Sequence, residues 1–440
     1  MTTMSPKSAP KKTRRPERAK KDTSSQWYNK TTLKNGVRVI TERMPSVRSI
    51  SLGVWVDVGS RNERPEENGL SHFIEHLVFK GTKNRNARQI AQSLESLGGV
   101  LNAFTTREQT CFTARVLDEH LPQAMEVLAD LTSNATFSKT NMERERLVIS
   151  EEIKESRDNP ADHIHDLFAD AYWGGHPLGQ PIMGPQETIL GMPRARLTKF
   201  VNRHYRSNSI VVAAVGAVSH DKLVRLVRKY FDFTDGTGEQ PEPAERINPH
   251  RVRVKSGDYA QTQYCIGFPG LSYPDQRKMA AMVMASHLGG GMSSVLFQKI
   301  REQRGLAYSV YCYHDFYADA GILGIYLGTD HEHLKEAVDV ILAETRRLKQ
   351  RKIPEDRLAQ VKSQIKGHLT LGMEGTSNRM HRLGRLELML GEYVTLEQAL
   401  KAIDKVTASD VVEMAREILV EDQYTMAALG PIDESALAGY

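Results

Sequence analysis

Ordered patterning begins near Tyr28, where Val37, Val39 and Ile40 start a strand-like alternation and Ser49 to Val58 supplies a second strand. Asn86 to Leu97 carries apolar positions at helical spacing and stops at Gly98-Gly99. Val100 to Val116 reads as two strands, His120 to Thr132 as an amphipathic helix, and Lys139 to Ser156 as a helix halted before Asn159-Pro160. A further αβ stretch closes with the strand Ser209 to Val215 and the helix Ser219 to Phe231. Thr234 to Pro249, TDGTGEQPEPAERINP, has the Pro, Gly and acidic content of a linker.

Beyond that linker the pattern repeats. Asp118 to Leu128 (DEHLPQAMEVL) matches His331 to Ile341 (HEHLKEAVDVI) at five of eleven positions, 213 residues on. Arg146-Leu147 and Arg357-Leu358, and likewise His76-Leu77 and His287-Leu288, match at a shift of 211. The expected fold class is therefore α+β: two homologous αβ domains joined by a linker. Its expected divisions are a disordered tail at 1–27, a domain at 28–233, the linker at 234–249 and a second domain at 250–440.

Length agrees, since 440 residues exceed one domain at about 100–200 residues each. Charge changes the picture more. The net +5 is concentrated in residues 1–22, which hold eight bases and two acids, so the remaining chain is close to neutral. A folded nucleic-acid binder spreads its Lys and Arg over the body, and no such partner is expected here. The longest apolar stretch, Ile210 to Val218, is half of a membrane span, so no membrane insertion is expected either. The first 26 residues lack Leu, Ile, Val and Phe, and Pro6, Pro10 and Pro16 oppose an amphipathic presequence helix. The expected location is the bacterial cytoplasm rather than the mitochondrial matrix. Cys111, Cys265 and Cys312 are odd in number and widely spaced, each in a strand-like run, which points to small buried hydrophobes rather than disulfides or a thiolate zinc site.

The chemistry concentrates in His72-Phe-Ile-Glu-His76. On a helix His76 lies about 40° from His72 and Glu75 about 60° to the other side, so the three share a face. Two imidazoles one turn apart can hold one zinc ion, with the carboxylate between them reaching a water at the metal. Such a pattern is expected by chance about 0.06 times in a chain of this composition, which makes it a strong signal. A catalytic zinc needs a third protein ligand. Glu152 is the best candidate, because Glu145, Val148, Ile149 and Glu152 form one stripe that mixes carboxylates with apolar residues. Glu145 then supports a histidine, and Glu151, about 100° away, is the fallback. His163, His165 and His176 form a weaker competing set, read as surface or core histidines. Gly289 to Gly291 lacks the residues of a phosphate loop and reads as a turn.

With His72, Glu75, His76 and a glutamate 76 residues past the second histidine, the chain resembles the pitrilysin and insulysin metallopeptidases, and within them bacterial relatives of the mitochondrial processing peptidase beta subunit. Gly98 to Thr105, Trp173 to Gly179, Leu288 to Ser294 and Arg301 to Ser309 carry the same resemblance. It implies mixed or antiparallel sheets with helices on one side, one zinc ion per chain and a zinc metalloendopeptidase acting on extended peptides or presequence-like segments. It further implies that Glu75 is the general base, that Arg301 and Tyr308 hold the substrate carbonyl, and that Asn102, Ala103, Phe104 and Thr105 form an edge strand for substrate. At the repeat shift Val283, Ser286 and Ser363 replace three of the four key residues and only His287 is kept, so the second domain is expected to be metal-free. A homodimer is the simplest way to complete a four-domain chamber. The alternatives are a catalytic subunit of a heterodimeric processing peptidase and an inactive scaffold subunit.

Overall fold

Ser49–Val56 is buried at every position after the first, because its sheet is covered on both faces. Ile50, Leu52, Val54 and Val56 enter the main core of the first half, whereas Trp55 packs with Met380 and Leu383 on the other side. The strand period of two survives as a division between two cores, so the sequence reads as a nearly continuous apolar run.

The structure, a computed structural model, describes residues 27–244 and 251–440. The expected tail, except Trp27, and residues 245–249 of the expected linker lie outside the described residues. The first half contains β1 (Tyr28–Thr32), β2 (Arg38–Arg43), β3 (Ser49–Val56), α1 (Leu70–Val78), α2 (Ala87–Glu95), β4 (Val100–Thr105) and β5 (Thr110–Leu117). It continues with α3 (Leu121–Asn134), α4 (Lys139–Asp158), α5 (Pro160–Trp173), α6 (Gln186–Gly191), α7 (Arg194–His204), β6 (Ile210–Gly216) and α8 (His220–Tyr230). The second half contains β7 (Arg251–Ser256), β8 (Thr262–Pro269), α9 (Lys278–Gly289), β9 (Ala307–Phe316), β10 (Gly321–Thr329) and α10 (Leu334–Gln350). It ends with α11 (Glu355–Gly372), α12 (Thr376–Leu390), α13 (Leu396–Lys405), α14 (Ala408–Ile418) and β11 (Thr425–Gly430).

The two sheets run β1-β2-β6-β3-β5-β4 and β7-β11-β8-β10-β9. In each, one pair is parallel, β2 with β6 and β7 with β11, and the other neighbours are antiparallel. Without β1 the sheets have the same order and directions. The corresponding strands β2 and β7, and β3 and β8, begin 213 residues apart, the shift seen in the sequence repeat. This is the expected architecture of two homologous αβ units.

Helices of each half cluster on one side of their own sheet, while the opposite face takes a helix from the other half. α5 packs on β8 and β11, and α12 packs on β3 and β6. Ser51 and Thr376 share a hydrogen bond of 2.9 Å across this junction. Close approach requires Gly384, since a Cβ there would lie 2.2 Å from Trp55 Nε1. Among the described residues, no helix is long and apolar enough to cross a membrane.

Candidate metal centre

Helix α1 is launched from Gly69, whose φ of 92° is readily adopted by glycine. The buried carboxylate of Glu63 accepts hydrogen bonds from the backbone N–H groups of Gly69 (2.7 Å) and Ser71 (2.6 Å) and from Asn68 Nδ2 (3.1 Å). A buried carboxyl group thus satisfies backbone donors at the start of the helix. Leu70, Phe73, Ile74 and Leu77 bury one face in the main core, which turns His72, Glu75 and His76 toward α4 and β4.

The ligand atoms of His72, His76 and Glu152 all lie within 4.8 Å of one another. The two imidazole centroids are 4.6 Å apart. His76 Nε2 is 3.4 Å from Glu152 Oε2, and its Nδ1 is 3.3 Å from Glu145 Oε2. Glu145 also pairs with Lys80 at 3.0 Å. Glu145 therefore orients the His76 ring from behind, leaving Nε2 toward Glu152. Burial, and then the neighbouring His76, push His72 down to about 4, so its imidazole is neutral and has a lone pair to give. His72 Nδ1 is buried and has no hydrogen-bond partner among the described residues. Two imidazoles, one carboxylate and a supporting carboxylate fit zinc in donor type and number.

Glu75 faces the edge strand. Thr105 Oγ1 donates to Glu75 Oε2 at 2.5 Å, joining the metal helix to the end of β4. Burial pushes the Glu75 carboxyl up, and the Thr105 hydrogen bond and His76 offset part of that rise. Among the described residues strand β4 pairs only with β5, which leaves its outer edge open. Asn102 lies exposed on it, Ala103 packs against the main core, and Phe104 turns to the opposite face beside Trp55 and His381.

Arg301 and Tyr308 meet each other, with the guanidinium 4.7 Å from the Tyr308 ring centroid and 4.8 Å from that of Phe297. Tyr308 is 75% exposed. Among the described residues no hydrogen bond or ion pair joins either to His72, Glu75, His76 or Glu152.

Glu151 does not join the cluster and pairs instead with Lys154 at 2.7 Å. His163 contacts Lys255 Nζ at 2.9 Å, His165 contacts the Tyr311 hydroxyl at 3.0 Å, and His176 accepts from the Leu178 N–H at 3.2 Å. These three histidines occupy separate polar environments. In the second half His287 is pushed down to about 4 by burial, and Val283, Ser286 and Ser363 bring it no further donor for a metal. Sequence reasoning missed Glu63, although a glutamate six residues ahead of a glycine-started HxxEH helix was available as a signal.

Residues 38–186 match the family model described as Insulinase (Peptidase family M16), and residues 191–365 match the Peptidase M16 inactive domain. A zinc protease of Bacillus subtilis, YmxG, is 40% identical over 91% of this chain and 97% of its own length. A zinc protease of Mycobacterium tuberculosis strain H37Rv is 41% identical over 91% of this chain and 93% of its own. A protease from Helicobacter pylori shares the fold, with a TM-score of 0.84 at 23% identity over 91% of this chain and 99% of that one.

Proposed function

Because this chain belongs to the insulinase family of peptidases, M16, we propose that it is a zinc-dependent metalloendopeptidase acting on extended peptides or presequence-like segments. The observation that carries this reading is the convergence of His72, His76 and Glu152, with Glu75 beside them tied to an open strand edge. Within the family, the motifs from Gly98 to Thr105 and from Arg301 to Ser309 favour kinship with bacterial relatives of the processing peptidase beta subunit.

His72, His76 and Glu152 would hold one zinc ion, which when bound would supply Lewis-acid chemistry at the scissile carbonyl. The outer edge of β4, from Asn102 to Thr105, adds the substrate as a further strand through main-chain hydrogen bonds. Glu75 takes a proton from the attacking water and delivers it to the leaving amine. Arg301 and Tyr308 bind the carbonyl oxygen when the chamber closes. The catalytic domain comprises residues 28–233, and the metal-free domain 250–440 contributes substrate contacts. Two chains form a homodimer in the cytoplasm and enclose the cleavage chamber.

Glu75→Gln tests the assignment, because the neutral amide keeps the size but cannot take the proton. The variant is expected to retain about one zinc per chain while peptide hydrolysis falls by at least about a hundredfold. Unchanged hydrolysis would remove Glu75 from the mechanism. Absence of zinc from the wild-type protein after reconstitution would favour the scaffold reading.

A further inference from the structure

A cavity of about 730 Å³ lies between the two halves, on the face of β4 turned away from Glu75. Its walls are mainly apolar and include Trp55, Phe104, Met279, Met282, Met373 and Met389. Such a volume falls within the range of about 300–1,000 Å³ typical of small-molecule sites. Methionines give a wall that adapts to a flexible apolar ligand.

The polar lining is uneven. Lys278, Arg382 and Arg385 gather near Tyr273: Lys278 Nζ is 4.1 Å and Arg385 Cζ 5.0 Å from the ring centroid. No described carboxylate comes within 4.0 Å of any of the three cations. Among the described residues the Arg382 side chain has no hydrogen-bond partner, while the Lys278 and Arg385 side chains reach only the carbonyl oxygens of Tyr273 and Phe316. Burial lowers the pKa of Arg382, and burial followed by the charge of Arg385 lowers that of Lys278. Lys278 and Arg382 are partly buried and Arg385 is exposed, and these three cations, none in a close ion pair, leave a place for an anion at the edge of an apolar cavity. Of the carboxylates around the three cations, Glu108 is engaged by Arg61 at 2.7 Å, Asp275 by Arg277 at 2.9 Å and Glu42 by Arg379, while Glu392 acts on Lys278 only from beyond 4.0 Å.

We propose that this cavity binds a long-chain monocarboxylate, a fatty acid, with its carboxylate among Lys278, Arg382 and Arg385 and its chain along the methionine-lined wall. The charge selects the head group, and the apolar volume selects the tail. The site is separate from the metal cluster, so binding does not depend on the peptidase reading.

Calorimetric titration of the purified full-length chain with laurate, myristate and palmitate, each below its micellar concentration, tests the assignment. Affinity is expected to rise with chain length, by up to about fourfold per buried methylene. Dodecylamine and dodecanol are expected to bind at least about tenfold more weakly than laurate. Arg382→Met should weaken laurate by about tenfold or more, and Met282→Trp should weaken palmitate more than laurate by filling the chain space. Circular-dichroism melting checks that both variants are folded, and if Arg382→Met is not, Lys278→Met replaces it. No binding of the three carboxylates, equal binding of dodecanol, or unchanged affinity in both folded variants would overturn the proposal. Displacement by an unmodified apolar peptide at laurate's own affinity would also overturn it, assigning the cavity to peptide side chains.

Discussion

Glu63 shows how one side chain outside the candidate metal cluster supports the helix that carries two of its histidines. Its carboxylate holds the first turn of α1 through three donors, while burial pushes its pKa up to about 7 from 4.5. The folded state therefore keeps a proton that the unfolded chain has already released. Stability from this group is full below about pH 4.5 and is lost as pH rises toward 7. Relative to Glu63→Gln, the wild type should lose on the order of 3 kcal/mol over that interval, measured by urea unfolding at each pH. A gap that stays flat with pH would refute this. Glu63→Ala should in addition weaken zinc about tenfold, read by competition with a chelator, because the turn bearing His72 loses its anchor. The histidines and Glu152 were legible in the sequence since one helical turn and a two-turn stripe are local properties. Glu63 left only a weak signal, its place ahead of Gly69, because its role depends on a loop folding back over the helix start. The lack of contact between the Arg301–Tyr308 pair and the metal ligands was invisible, since spacing along the chain says nothing of separation across it.

At the scale of elements, helix and strand positions followed the local pattern closely, as with α4 starting at Lys139 and β6 covering Ile210–Gly216. The crossing of α5 and α12 did not follow from it. Trp55 and Met380 meet across more than three hundred residues, and an apolar position does not say which sheet will cover it. The crossing depends on small residues. Besides Gly384 beside Trp55, Gly53 faces Met380, where an added Cβ would lie 2.5 Å from Sδ, and Gly267 faces Phe168 at 2.1 Å from Cζ. The thioether can move aside, whereas the Trp55 indole, which an added Cβ would meet at 2.7 Å from Gly53 and at 2.2 Å from Gly384, is packed against Phe104 and His381. Gly384→Val should therefore destabilise by about 1–3 kcal/mol despite the usual helix-propensity gain over glycine. Gly53→Ala should cost less. Denaturant midpoints for the two variants check the order, and a neutral Gly384→Val would show that α12 is not held as closely as described.

Across the whole molecule, Arg61 joins elements that no single core connects. Its guanidinium is 2% exposed and forms two bonds of 2.7 Å with Asp319, one of 2.7 Å with Glu108 and one of 2.8 Å with the Glu242 carbonyl. These partners belong to the turn between β9 and β10, the turn between β4 and β5, and the segment between the halves. Asp319 further accepts from the Ala244 N–H at 2.9 Å, and Glu108 from the Ala318 N–H at 3.1 Å. One cation thus neutralises two carboxylates from different halves and fixes the connecting segment. Removing it leaves those carboxylates facing each other, so Arg61→Ala should cost about 1–3 kcal/mol, less than for a fully buried pair because Asp319, 39% exposed, regains water. The form of the loss separates a latch from a generally important residue. If Arg61 couples the halves, calorimetric unfolding of Arg61→Ala should broaden into two resolvable transitions, and Asp319→Ala should shift it the same way by a smaller amount. A single transition moved only in temperature would mean that α5 and α12 suffice to hold the halves together.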